Sequence, residues 1–343
     1  MRYPEFLPEN GTIGFLAPSF GCAIQPYHAM FLHALEVFEE KGYHTLVGPN
    51  CFASEGVGIS NTPQKCAEEV NAMFSSDADC LFSVGGGELM CEILPYVDFE
   101  ALAQNQPKWF MGYSDNTNLI YLLATLADTA AVYAPCASTF GTQPWHPSLQ
   151  DALDIVTGRT RTVSGYGLWE KEKNRDEEHP LAPYHVTEPL QLRTFIGMEE
   201  TDRPVDFTGR LIGGCMDCLV TLLGTRFDRT ADFLERYRED GFIWMLEACD
   251  LNVFSIRRAM WQMEQAGWFR YVKGFLIGRP LNGEPMFDLD AYGAVLAAAG
   301  KLNVPVIMDI DLGHLPPMMP LVVGSIAHVS VSGNDIRISM EYR

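Results

Sequence analysis

No stretch of the 343-residue sequence approaches the roughly 20 consecutive apolar residues that a bilayer-spanning helix needs, so no membrane helix is expected. The opening segment Met1-Arg2-Tyr3-Pro4-Glu5-Phe6-Leu7-Pro8 has neither the apolar core nor the small-residue cleavage site of a secretory signal, which argues against export by that route. Positive charge is scarce: 24 Lys and Arg stand against 44 Asp and Glu, a formal net charge of −20. A surface of that sign repels nucleic acid and anionic lipid, because both partners need clustered cations. A disulfide framework is missing too. The nine cysteines are odd in number, scattered, and embedded in apolar runs such as Cys80-Leu81-Phe82, as reduced thiols of a cytoplasmic protein would be. Cys215 and Cys218 have the spacing of half a zinc site, but no second cysteine pair completes it, and no metal or other cofactor is expected. The glycine run Gly85-Gly86-Gly87 has neither the spacing of a dinucleotide fingerprint nor a P-loop lysine. Small molecules and peptides remain as partners.

What is present is an ordinary globular composition, 47% hydrophobic and 20% charged, in a chain longer than one core usually organises. Apolar runs alternate with amphipathic segments. Thr12–Ala17, His44–Val47, Cys80–Val84 and Trp109–Tyr113 read as strands. Tyr27–Lys41, Thr62–Phe74 and Glu88–Leu94 read as helices, and another begins at Asp115. Such alternation predicts a doubly wound parallel sheet. The charge-dense stretch Trp169–Pro180 reads as a linker or exposed loop. The expected division is therefore a first α/β domain over 1–165, an insert over 166–185 and a second, mixed α/β domain over 186–343.

Chemistry in open α/β sheets gathers outside the carboxyl ends of the strands. There, Gly112-Tyr113-Ser114-Asp115-Asn116-Thr117 puts a serine on a strand-to-helix turn. It is either a nucleophile with backbone N–H groups beside it, or, with Asp115, a helix cap. Gly86 and Gly87, after the neighbouring strand, let the backbone approach a ligand and offer a further N–H donor. A serine nucleophile needs a base and an orienting acid. Among eight histidines, His314 lies in the turn-rich run Asp311-Leu312-Gly313-His314-Leu315-Pro316-Pro317 after a buried strand, whereas His28 and His33 fall on a helix and His328 in a strand. Glu247 ends the apolar strand Phe242–Leu246, where a carboxylate must be paired or functional. Asp250 and Asp311 are the other carboxylates near these loops.

Together with Leu211-Ile212-Gly213-Gly214 and Ile93-Leu94-Pro95-Tyr96-Val97-Asp98, the serine and histidine motifs resemble the signature regions of the LD-carboxypeptidase family of serine peptidases, in that family's order. The resemblance spans nearly the whole chain. It implies a flavodoxin-like N-terminal domain, a swivelling C-terminal α/β domain, a homodimer and no metal. It also implies a triad of Ser114, His314 and Glu247, with oxyanion donors from the backbone N–H of Asp115 and of Gly86 or Gly87. The run Ser83-Val84-Gly85-Gly86-Gly87 lacks the arginine that murein-recycling members commonly carry before this turn. The glycine turn and the Trp169 insert look more like the microcin-immunity branch, which cleaves peptidyl or aminoacyl nucleotides. Trp169 is accordingly a candidate for stacking on a substrate ring, or for packing within the protein. The expected activity is hydrolysis of an amide bond, in an LD-peptide or an aminoacyl nucleotide, through a Ser114 acyl-enzyme. The alternative is a non-catalytic binding module on the same fold.

Overall fold

The computed structural model describes residues 1–56 and 60–343. The chain forms two compact units, one of Met1–Thr160 with Glu172–His185, the other of Arg161–Lys171 with Val186–Arg343. This differs from a simple linker over 166–185. Residues up to Lys171 join the second unit, because Tyr166 N–H donates to the Asp311 carboxylate and Glu170 N–H to the carbonyl of Pro316. The residues that follow join the first, where Gln143 N–H reaches the carbonyl of Leu181.

In the first unit the elements run β1 (Thr12–Leu16), α1 (Tyr27–Glu40), β2 (His44–Val47), α2 (Pro63–Phe74), β3 (Cys80–Ser83), α3 (Phe99–Gln104), β4 (Trp109–Gly112), α4 (Thr117–Thr125), β5 (Ala131–Tyr133) and α5 (Pro147–Val156). The strands lie parallel in the order β2-β1-β3-β4-β5, the flavodoxin-like order that the resemblance implies. Strands β3 and β4 are buried throughout, which explains their unbroken apolar sequences. Thr62 caps α2 through Lys65 N–H, and Pro63 occupies its first turn. The helix expected over Glu88–Leu94 does not form. Met90–Glu92 and Leu94–Tyr96 are two short 3₁₀ turns. Met90 N–H is drawn to the Asp115 carboxylate, and Pro95 has no N–H to continue a helical ladder.

The second unit contains β6 (Thr162–Ser164), β7 (Leu168–Trp169), β8 (Glu188–Pro189), β9 (Arg193–Ile196), β10 (Glu199–Glu200), β11 (Val205–Cys215), α6 (Met216–Leu222), α7 (Thr230–Arg236), β12 (Phe242–Glu247) and α8 (Val253–Gln265). It continues through β13 (Val272–Gly278), α9 (Ala291–Ala299), β14 (Pro305–Ile310), β15 (Leu321–Val323), β16 (Ile326–Ser332) and β17 (Asp335–Glu341). Its main sheet has the order β10-β9-β14-β13-β12-β11-β16-β17-β6. The four central strands, β11 to β14, are parallel and the flanking ones antiparallel, so this unit is mixed α/β as expected. Trp244 of β12 is fully buried and stacks on Trp268 with ring centroids 5.6 Å apart. Glu247 stands at the carboxyl end of β12, and the loop carrying His314 follows β14. Among the described residues no helix is long and apolar enough to cross a membrane.

Candidate active site

In the first unit β4 delivers Ser114 on a sharp turn. Tyr113 is extended, and Ser114 adopts a left-handed conformation with φ of 63° before the 3₁₀ turn Ser114–Asn116 leads into α4. A non-glycine residue rarely occupies that region, and strain of this kind gathers where the surroundings over-determine it. Ser114 N–H donates to the Tyr133 hydroxyl at 3.3 Å. Asn116, the residue preceding α4, makes no side-chain cap bond. The buried Asp115 carboxylate instead accepts the hydroxyl of Ser19 from the loop after β1, Met90 N–H at 2.8 Å, and the Asn118 amide at 2.9 Å. The glycine turn comes close. A Cβ added to Gly86 would stand 3.2 Å from both Cβ and Oγ of Ser114, a tight contact that would crowd the hydroxyl. Gly87, with φ of +121°, packs against Ser19.

In the second unit the Glu247 carboxylate is wholly buried and accepts a 2.8 Å hydrogen bond from His314 Nδ1, whose side chain is 12% exposed. The pair spans β13, which lies between β12 and β14, because that strand ends in glycine. A Cβ at Gly278 would run into the carbonyl of Leu312 and come within 3.1 Å of Glu247 Cβ. Burial alone would push the His314 imidazole down. The adjacent Glu247 carboxylate, helped by the Cys249 thiol, raises it instead from 6.5 to about 10. Asp217 holds the loop that follows Glu247, its carboxylate accepting the N–H groups of Cys249 at 3.1 Å, Asp250 at 2.9 Å and Leu251 at 3.2 Å. The His314 loop is anchored by buried Asp311, which pairs with Arg279 at 2.5 Å and accepts Tyr166 N–H at 2.7 Å. Asp311 is thereby committed to structure.

Trp169 is not in an exposed loop. It is half-buried in the β7–β8 ribbon, its indole N–H bonded to the Pro189 carbonyl at 3.2 Å and its ring beneath the Arg279 guanidinium at 4.8 Å. With Arg279, Pro280, Tyr292 and Asp309 it borders a surface pocket of about 590 Å³ within the second unit. Burial raises the Asp309 carboxyl there, although the Tyr292 hydroxyl donates to it at 2.6 Å. His28 and His33 make ring-nitrogen contacts with the carbonyls of Cys22 and Gly141, as helix residues with structural work do. All nine cysteines are free thiols, and burial pushes most of those with a resolved shift upward. Cys215 is raised first by its hydrogen bond with Cys218. Sequence reading did not single out Ser19 and Asn116, which hold the Ser114 turn, or Asp217 and Arg279, which hold the loops beside Glu247 and His314. Only Asp217 carried a signal, as the carboxylate inside the Cys215–Cys218 spacing.

Because the folded pKa of His314 lies above its unfolded value, the stabilisation from the Glu247 pair is complete below about pH 6.5 and is lost as pH rises towards 10. Glu247→Gln should therefore cost about 2 kcal/mol near pH 6, the scale of a hydrogen bond to a charged partner, with the deficit narrowing as pH climbs. Denaturant unfolding of both proteins from pH 6 to pH 10 checks this. A difference constant across that range would contradict the coupling.

The profile of the LD-carboxypeptidase N-terminal domain matches residues 13–134, and that of the LD-carboxypeptidase C-terminal domain residues 208–329. The chain is 24% identical to the microcin C7 self-immunity protein MccF of Escherichia coli, over 98% of this chain and 95% of that one. It is 23% identical to a protein of Bacillus subtilis named as a probable murein peptide carboxypeptidase, over 96% and 92%. Among solved structures, an MccF-like protein from Bacillus anthracis superposes with a TM-score of 0.82 at 19% identity, covering 99% of this chain and 100% of that one. MccF in complex with aspartyl sulfamoyl adenosine superposes at 0.76 and 20%, covering 99% and 98%. With both domain profiles matched in order along one chain, this protein belongs to the LD-carboxypeptidase family of serine peptidases.

Proposed function

We propose that the protein hydrolyses the amide bond of an aminoacyl or peptidyl nucleotide, with Ser114 as nucleophile, His314 as general base and Glu247 as its orienter. The observation that carries the reading is the left-handed turn at Ser114 with Gly86 against its hydroxyl, a backbone arrangement that packing alone does not call for. His314 removes the hydroxyl proton as Ser114 Oγ attacks the carbonyl carbon. Backbone N–H groups of Asp115 and Gly86 or Gly87 hold the oxyanion, and water releases the acyl group. Glu247 keeps the Nδ1 proton in place and stabilises the imidazolium that forms. A cytoplasmic homodimer is part of this reading.

The nucleotide leaving group is favoured over a murein peptide by Trp169, whose half-buried indole borders the pocket and offers an aromatic surface to a base. MccF, bound to aspartyl sulfamoyl adenosine, is a relative that takes such a ligand.

Ser114→Ala and His314→Ala should each lower kcat by about 10³-fold or more, and the double variant should be little worse than either, because parts of one nucleophilic unit are non-additive. Steady-state hydrolysis of aspartyl sulfamoyl adenosine, followed by mass spectrometry, measures this; near wild-type turnover by Ser114→Ala would refute the assignment. The raised imidazole pKa predicts a kcat/KM that keeps climbing with pH beyond 6.5, since only the neutral ring accepts a proton. A plateau already reached at pH 6.5 would show that His314 is not the titrating base. Trp169→Ala should raise KM for the sulfamoyl adenosine at least tenfold while changing KM for a murein tetrapeptide little, because contacts remote from the reacting bond are lost equally from ground and transition states. Equal effects on the two substrates return Trp169 to a purely structural part.

A further inference from the structure

Asn116 has no part in the triad, yet its side chain is fully buried two residues from the nucleophile. Its Nδ2 donates to the carbonyl of Gly85 at 2.8 Å and to the carbonyl of Tyr113 at 3.0 Å. Those are the carbonyls of the two peptide groups that lead into Gly86 and Ser114. Gly85 O receives a second donor, the hydroxyl of buried Ser83 at 2.9 Å. In a planar trans peptide the N–H points opposite to the C=O. Fixing the Gly85 carbonyl from one side therefore fixes the direction of the Gly86 N–H on the other, in a residue whose added Cβ would stand 3.2 Å from Ser114 Oγ. Donors on the carbonyl also polarise the peptide and strengthen its N–H as a donor.

We propose that Asn116, assisted by Ser83, is a positioning residue for the Ser114 reaction, aiming and polarising the Gly85–Gly86 peptide so that Gly86 supplies the second oxyanion donor. The inference rests on Ser114 being the nucleophile, and it selects Gly86 over Gly87 as the N–H in use. Asn116 touches no reacting atom. Its effect passes through one peptide plane, and loss of an aimed oxyanion donor is felt in the transition state, where the charge develops, and hardly at all in substrate binding.

Asn116→Ala should lower kcat by about 10- to 100-fold with KM changed less than threefold, below the 10²- to 10³-fold typical of deleting a donor outright. Ser83→Ala, which leaves one donor on Gly85 O, should show the same split at smaller size. A readout that simple loosening would not move is the rate ratio between aspartyl sulfamoyl adenosine and its analogue with sulfur in place of the scissile carbonyl oxygen. Sulfur profits little from an aimed N–H, so the ratio should shrink in both variants. If Asn116→Ala does not fold, Ser83→Ala carries the test by the same ratio. A wild type that neither turns over substrate nor labels at Ser114 with a fluorophosphonate overturns the nucleophile reading and this one with it. An active wild type whose folded variants keep the ratio and kcat, or lose only KM, overturns the part of Asn116 alone.

Discussion

A carboxylate with no access to water, at the end of an apolar strand, sets the terms for the second unit. Glu247 carries a charge that β12 cannot solvate, and a buried charge persists only when paired and hydrogen-bonded. The partner is His314 on a loop two strands away in the sheet, which requires β13 to end in a residue without a side chain. Gly278 meets that requirement. The loops on either side are then pinned by further buried or half-buried carboxylates, Asp217 accepting three backbone N–H groups and Asp311 held by Arg279. The imidazole is thus held to its carboxylate by an arrangement extending over three strands and the loops beyond them.

The first unit solves a different problem by similar means. Its parallel sheet brings the loops after β1, β3 and β4 to one edge, where backbone groups rather than charges must be aimed. Two neighbouring side chains do the tying: Asp115 gathers Ser19 and Met90, and Asn116 gathers the glycine turn. The strained backbone at Ser114 is held between them. Both residues lie beside the nucleophile in sequence, while Ser19, Met90 and Gly85 lie far from it.

That separation explains what could be read from the sequence. Strands such as Cys80–Ser83 and Trp109–Gly112 are legible because burial on both faces leaves unbroken apolar runs ending in turn formers. Ser114, Glu247 and His314 are legible as polar residues placed where those runs stop. The missing helix at Glu88–Leu94 is not legible, since the N–H of Met90 is claimed by a carboxylate 25 residues later. Asn116 escapes for the same reason: an amide on a turn has no periodic signature, and its partner Gly85 is 31 residues away. Asp217 shows only as the carboxylate within the cysteine spacing, its partner Asp250 being 33 residues on. The path of residues 161–185 is not legible, because a charged segment whose backbone is hydrogen-bonded to a distant loop has the same composition as one that is not.

The chain path has a consequence for how such a protein can be divided. Residues Arg161–Lys171 belong with the second half of the sequence and Glu172–His185 with the first, so neither unit is one continuous stretch of gene. A single cut leaves at least one unit without a segment it hydrogen-bonds, such as the one that delivers Tyr166 to Asp311. Exchange of halves between relatives at one crossover point would pair at least one sheet with a foreign strap. Inheritance of the two halves is therefore coupled by three junctions that have to travel together.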